Sequence, residues 1–200
     1  MASQRFELLN FTMQQRILDT AEDIVRSRGY NGFSYADVAS ILGVSKAALH
    51  HHFATKADLG LALINRFTEV VMEHLDAISA SKSDNLSRLA AYVDVYDAAL
   101  GENKMCLCGL MAAEHETLAP AMQAALETFF DGHTAWLAKV LENGRLDGEF
   151  DFAGPSEVQA KMILATMQGA LMIAKAKKDF RALGPTGQAL LKQYATKSAV

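Results

Sequence analysis

The sequence predicts an all-α fold of about nine helices, with a small three-helix head at the N-terminus and a larger helical body behind it. Three observations carry that prediction. Apolar residues recur at helical spacing from Ile17 onward, and no stretch alternates as a half-buried strand would. Capping pairs and glycine stops punctuate the first part of the chain. Only three prolines interrupt a chain of which 50% is hydrophobic, and its many Ala, Leu and Met residues favour helix.

The elements follow in order. Thr12 with Gln15 reads as a capping box, followed by Ile17, Ala21, Ile24 and Val25 on one face, and Gly29 supplies the stop. Ser34 with Asp37 caps a short second helix that Gly43 ends, and Ser45 caps a third through about His52. Thr55 with Asp58 caps a long fourth helix carrying Leu59, Leu63, Phe67, Val70, His74 and Ile78. Residues 85–101 read as a fifth, and "CLCGLMAAEHETL" as a shorter one. A long helix runs from Ala119-Pro120 to about Leu146, another from Gly154-Pro155 to about Phe180, and a last one over 186–196. The expected division is a head of residues 1–56 and a body of residues 57–200.

Two hundred residues at this apolar content suffice for a sizeable core. The net charge of −4 gives no global basic field. Residues 1–56, however, carry +1 and the remainder −5, the sign expected if one end meets a polyanion. "MASQRFELLN" has no apolar run fit for a signal peptide, and Met162–Ala174 is too short to span a bilayer. Cys106 and Cys108 are too close in sequence for an ordinary structural disulfide. A cytoplasmic protein with reduced thiols and no membrane partner is the expectation.

The stretch "SYADVASILGVSKAALHHHF" holds two short helices about a glycine turn, the pattern of a helix-turn-helix. Val38, Leu42, Val44, Leu49 and Phe53 pack inward and leave Lys46, Ala47, His50 and His51 outward. Small and polar side chains on that face admit the helix to a major groove. Ser34, Ser45 and Thr55 mark helix N-termini whose free N–H groups suit phosphates, and Lys56 adds a charge. Three consecutive histidines on a helix point about 100° apart, so His50, His51 and His52 do not converge on one metal. His50 and His51 are expected to face DNA; simple solvation is the alternative. His52 packs at the edge of the head.

"GYNGFSYADVASILGVSKAALHHHFATKADL" resembles the DNA-binding domain of the tetracycline-repressor (TetR) family, over about Ile17 to Leu59. Gly29, Phe33, Val38, Ala39, Gly43, Val44, Leu49, Phe53, Lys56 and Leu59 fall where the family pattern puts them. His50 departs from it, standing where the family usually has a phosphate-touching tyrosine. The resemblance implies a homodimer that binds a palindromic double-stranded DNA operator, represses transcription and is released by an inducer in the C-terminal domain. It also implies that the last long helices form the dimer contact, here those near 119–146, 155–180 and 186–196. The helix at 155–180 is apolar around much of its circumference, through Val158, Met162, Ile163, Ala165, Met167, Ala170, Leu171 and Ala174, as burial on two sides requires, by its own core and a partner; a central helix in a monomer is the alternative.

For an unknown small-molecule inducer, Tyr92, Tyr96, Met111, Met122, Phe129, Phe130, His133, Trp136, Met167 and Met172 are candidate lining residues; the bland alternative is plain core. "NKMCLCGLMAAEHE" resembles a segment of oxidant- and electrophile-sensing regulators of the family, in which the position of Cys106 holds the sensor. A thiol ahead of a helix is activated by the helix dipole, with Lys104 or Lys175 as additional help. An inert buried cysteine is the alternative reading; metal binding by Cys106, Cys108 and His115 is a third, because C-x-C alone is a weak signal. No cofactor or metal is expected. An all-α enzyme built on Glu114, His115, Glu116 and His133 is the competing class, but no nucleophile, phosphate loop or H-E-x-x-H accompanies them. A helical adaptor without DNA is the other.

Overall fold

The computed structural model describes residues 2–101, 104–179 and 183–196, with side chains for 12–99, 104–179 and 183–196. Among the described residues there are nine α-helices and no named strand: α1 (Ala2–Arg28), α2 (Tyr35–Leu42), α3 (Lys46–His52), α4 (Lys56–Ser81), α5 (Asn85–Gly101), α6 (Leu107–Ala113), α7 (Pro120–Leu146), α8 (Ser156–Lys177) and α9 (Leu183–Tyr194). A single 3-10 turn, His115–Thr117, follows α6. The all-α expectation holds. The chain forms two compact units, Met1–Phe67 with Leu107–Leu126, and Thr68–Cys106 with Glu127–Val200.

In the first unit, α1 starts earlier than the sequence reading placed it. Helix already begins at Ala2, so Thr12 lies inside α1 and does not mark its start. The reason is local: residues 2–11 contain no Gly or Pro, and a Ser/Thr…Gln spacing also occurs in mid-helix. Gly29, at φ 81, ends α1 in the left-handed region. The core is built from Ile17, Ala21 and Val25 of α1, Val38 of α2, Leu49 of α3 and Leu59, Leu63 and Ile64 of α4, all at 1% exposure or less. Each of the Val, Leu and Ile side chains contributes roughly 1.5–3 kcal/mol on leaving water. Leu107, Cys108 and Met111 of α6 are equally buried. Arg66 of α4 reaches both Asp19 and Glu22 of α1, at 2.6 Å each.

In the second unit, α5, α8 and α9 pack on one another. Gly187 permits the α5–α9 approach, because a Cβ there would stand 2.2 Å from Val93 Cγ1. Buried Asn85 donates to Asp147 (3.0 Å) and Glu149 (3.1 Å), and Glu149 also accepts from the Leu86 amide at 2.7 Å. This polar knot ties the loop after α7 to the start of α5. The loop continues into one isolated antiparallel bridge, Phe150 to Ala195.

Helix α8 ends at Lys177, with Lys178 in the left-handed region as its C-cap. That is short of the expected end near Phe180, a residue outside the described ones. Helix α9 begins at Leu183 rather than at residue 186, and "CLCGLMAAEHETL" is helical only over Leu107–Ala113 before the 3-10 turn. One face of α8 is buried through Ala160, Ile163, Leu164, Met167, Leu171 and Ala174. The opposite face leaves Val158, Met162, Met172 and Ile173 half-exposed or more. No helix among the described residues is long and apolar enough to cross a membrane.

Candidate nucleic-acid interface and effector region

The head is set by reciprocal caps. Asp37 accepts from the Ser34 amide (2.9 Å) and hydroxyl (2.6 Å), while the Ser34 oxygen accepts from the Asp37 amide. These bonds hold the Asp37 carboxyl below the usual carboxylate range. Gly43 at φ 67 makes the turn, and Ser45 accepts from the Ala48 amide at 3.2 Å to open α3. Leu49 and Phe53 face the core, whereas Lys46, Ala47, His50 and His51 are exposed. Residues spaced i, i+1, i+4 and i+5 share one side of a helix, so this is a continuous small, polar and basic face. Leu42 and Val44 are half-buried, and His52 is half-buried at the edge.

Tyr35, which the sequence reading did not single out, fixes the joint between α3 and α4. Its hydroxyl lies 2.8 Å from the Phe53 carbonyl oxygen and 2.6 Å from that of Thr55. Burial, then the Asp58 charge, pushes its pKa up to about 12, so it remains a donor at any physiological pH. Its ring lies 4.7 Å from that of His50.

At the start of α4, Thr55 and Asp58 form the second cap. Asp58 accepts from the Thr55 amide and hydroxyl at 2.9 Å each, and its own amide donates to Thr55 Oγ1 at 3.1 Å. Lys56 is half-buried, its ammonium 4.5 Å from the Tyr30 ring centre and 4.7 Å from that of Phe33. Burial lowers its pKa, opposed by Glu114 and Asp37. Glu114 in turn accepts from the Asn31 amide at 2.8 Å, and Asn31 Nδ2 donates to Thr117 at 2.9 Å. The aromatic shelf under Lys56 and the Glu114 tie were invisible in the sequence because their parts are far apart along it.

The proposed effector residues divide between the two units. Met111 and Met122 are buried in the first, where Met122 and Tyr30 close on Gly60 so tightly that a Cβ there would meet them at 2.6 and 2.8 Å. The second unit holds an aromatic cluster. Tyr92 stacks on Trp136 (5.8 Å, 25°), meets Tyr96 edge-on at 5.4 Å, and lies 6.2 Å from His133. His133 is 4.5 Å from Phe129, which in turn meets half-buried Phe130 at 5.2 Å. The Tyr92 and Tyr96 hydroxyls are 3.1 Å apart, and Gln168 approaches Tyr96 at 3.4 Å. Trp136 donates to the Leu75 carbonyl (3.1 Å) and Ser79 (2.9 Å). Burial drops the His133 pKa to about 4, so that ring is neutral. Met167 is fully buried on α8, but Met172 is 50% exposed and does not line an interior. Helical period gave the side on which Met172 lies, not which side is covered.

Cys106 stands just ahead of α6, half-buried, and its charge would fall on both Tyr92 and Tyr96; Cys108 is buried. No group of three or more His, Cys, Asp or Glu fit to hold a metal occurs among the described residues. A groove of about 420 Å³ that sequence reasoning missed lies between α8 and α9, lined by Met162, Ile163, Thr166, Pro185, Thr186, Ala189, Leu190, Gln193 and Tyr194.

Comparison with known proteins adds to this geometry. The family profile "Bacterial regulatory proteins, tetR family" matches residues 17–63, and "Transcriptional regulator LmrA/YxaF-like, C-terminal domain" matches residues 85–189. The HTH-type transcriptional repressor NemR of Escherichia coli K12 is 28% identical over 177 residues, covering 85% of this chain and 87% of that protein. A TetR-family regulator from Agrobacterium tumefaciens superposes with a TM-score of 0.91 at 28% identity, covering 94% of this chain and 100% of that one. The reduced form of E. coli NemR superposes at 0.80 with 26% identity, covering 92% and 97%.

Proposed function

Because the chain belongs to the TetR family of bacterial regulatory proteins, a family of transcriptional regulators, we propose that it is a dimeric repressor that reads a palindromic operator and releases it on a chemical signal. The observation that carries this reading is the exposed face of α3. Lys46, Ala47, His50 and His51 stand clear of a helix pair braced from behind by Val38, Leu49, Phe53 and the Tyr35 hydroxyl. Residues 1–56 do the reading, with Ser34, Ser45, Thr55 and Lys56 near the phosphates. Residues 57–200 bind the effector and dimerise, through α7, α8 and α9. The half-exposed apolar face of α8 supports the dimer, since such a stripe is normally covered. It works in the cytoplasm, on DNA and a small molecule, and is not an enzyme.

The effector reading rests on the second unit's Tyr92, Tyr96, Phe129, His133 and Trp136 cluster and its buried Met167; Met111, buried in the first unit, is a separate candidate. A second form of it is favoured by Cys106: a thiol-reactive signal acts there, beside two buried tyrosines and directly ahead of α6. A relative crystallised in a form called reduced supports that choice. The test is retention of genomic fragments at several salt concentrations. A repressor retains a small set of sequences with a steep salt dependence; an enzyme or adaptor retains none selectively, and that result would refute the assignment.

A further inference from the structure

We propose that His50 meets DNA as an imidazolium, so that each reading head takes up a proton when it binds. The inference rests on the DNA-binding reading above and deepens it at one atom. His50 Nδ1 lies 2.9 Å from the Ala54 carbonyl oxygen. A carbonyl oxygen only accepts, so Nδ1 carries a hydrogen as long as this bond is made. The neutral ring therefore has a bare lone pair at Nε2 and is an acceptor there. The ring is held by that bond to Ala54 and lies 4.7 Å from the Tyr35 ring, and His50 is exposed on the same face as Lys46, Ala47 and His51.

The chemistry of a duplex then decides between the two forms. Phosphate oxygens accept, as do guanine O6 and N7 and thymine O4; only the exocyclic amines of adenine and cytosine donate in the major groove. Against most of that surface a neutral Nε2 sets one lone pair against another. One proton reverses this: the bond to Ala54 stays, and Nε2–H becomes a charge-assisted donor. The change needs no rotation of the ring, because Nδ1 is already engaged.

The ionisable groups around the ring do not compete for Nε2. The Tyr35 hydroxyl of α2 is turned to Phe53 and Thr55. Asp58 of α4 is bonded to Thr55, and Lys56 lies over Tyr30 and Phe33. On α3 itself, His51 meets the His52 ring edge-on at 5.5 Å, and Lys46 lies one turn back. By linkage, a head that gains a proton on binding gains affinity as pH falls, at most about tenfold per pH unit per head.

The experiment uses the full chain and a duplex selected from a random pool by that chain at pH 7. Affinity is measured by fluorescence anisotropy at pH 6, 7 and 8 and constant ionic strength. Wild type should bind about tenfold or more tightly at pH 6 than at pH 8. His50→Gln, which donates at every pH, and His50→Tyr, as a second non-titrating variant, should bind with affinities that agree within about twofold across the range. His74→Gln, on α4 and outside the proposed reading face, should keep the wild-type slope. The proposal is overturned if wild type is flat or weakens as pH falls, if either His50 variant keeps the slope, or if His74→Gln loses it. Enrichment of no duplex would instead overturn the DNA-binding reading, and this inference with it.

Discussion

Removing one oxygen from Tyr35 tests whether the α3–α4 joint is held as described. In Tyr35→Phe the ring stays beside His50, while the donor to the Phe53 and Thr55 carbonyls is lost. Thr55 O retains a second donor, the Leu59 amide at 3.2 Å. Phe53 is 6% exposed, so its carbonyl loses its donor in a place that water reaches poorly. An orphaned buried acceptor costs ~1–3 kcal/mol. For a chain of this size each kcal/mol lowers the melting temperature by about 2–4 °C, so the variant should melt several degrees below wild type. Circular dichroism melts at pH 7 read this directly, and operator affinity measured on the same samples should fall too. A Tyr35→Phe protein that melts within about 1 °C of wild type and binds DNA equally well would refute the reasoning.

Other outcomes follow from the same geometry. Lys56→Ala should weaken binding to every sequence and flatten the salt dependence by about one unit per subunit, as loss of a phosphate contact does; unchanged affinity at two salt concentrations would remove Lys56 from the interface. His133 is neutral in the fold with its pKa down at about 4, so its unfolded form binds the proton first. Stability should hold above pH ~6.5 and decline by up to about 3 kcal/mol as pH drops toward 4. His133→Phe should flatten that part of a urea-denaturation pH series. Cys106→Ser should abolish release from DNA by N-ethylmaleimide, and a variant that still lets go would exclude that thiol. Met162→Glu on the half-exposed face of α8 should shift the sedimentation coefficient from dimer to monomer; a dimer that persists would place the contact elsewhere.

What was legible in the sequence was local. The Ser34–Asp37 and Thr55–Asp58 caps, the Gly43 turn and the exposure of Lys46, Ala47, His50 and His51 all follow from spacings of a few residues. The Thr12 cap failed for the same reason, since a short spacing cannot say whether a helix has already begun. What remained hidden depends on chain segments meeting from a distance. The Tyr35 brace spans 18 and 20 residues, and the Glu114 tie to Asn31 spans 83. The α8–α9 groove and the outward turn of Met172 depend on which side of a helix its neighbours occupy, which periodicity leaves open.

That long tie has a consequence for protein engineering. The turn after α1 relies on a carboxylate at Glu114 and a hydroxyl at Thr117, both encoded well downstream of α2 and α3. Chimeras that graft residues 1–56 onto another regulator's body will import a bend without its anchor, and Lys56 will lose its distant counter-charge at the same cut. Cassette exchange should therefore carry the segment around residues 114–117 along with the head.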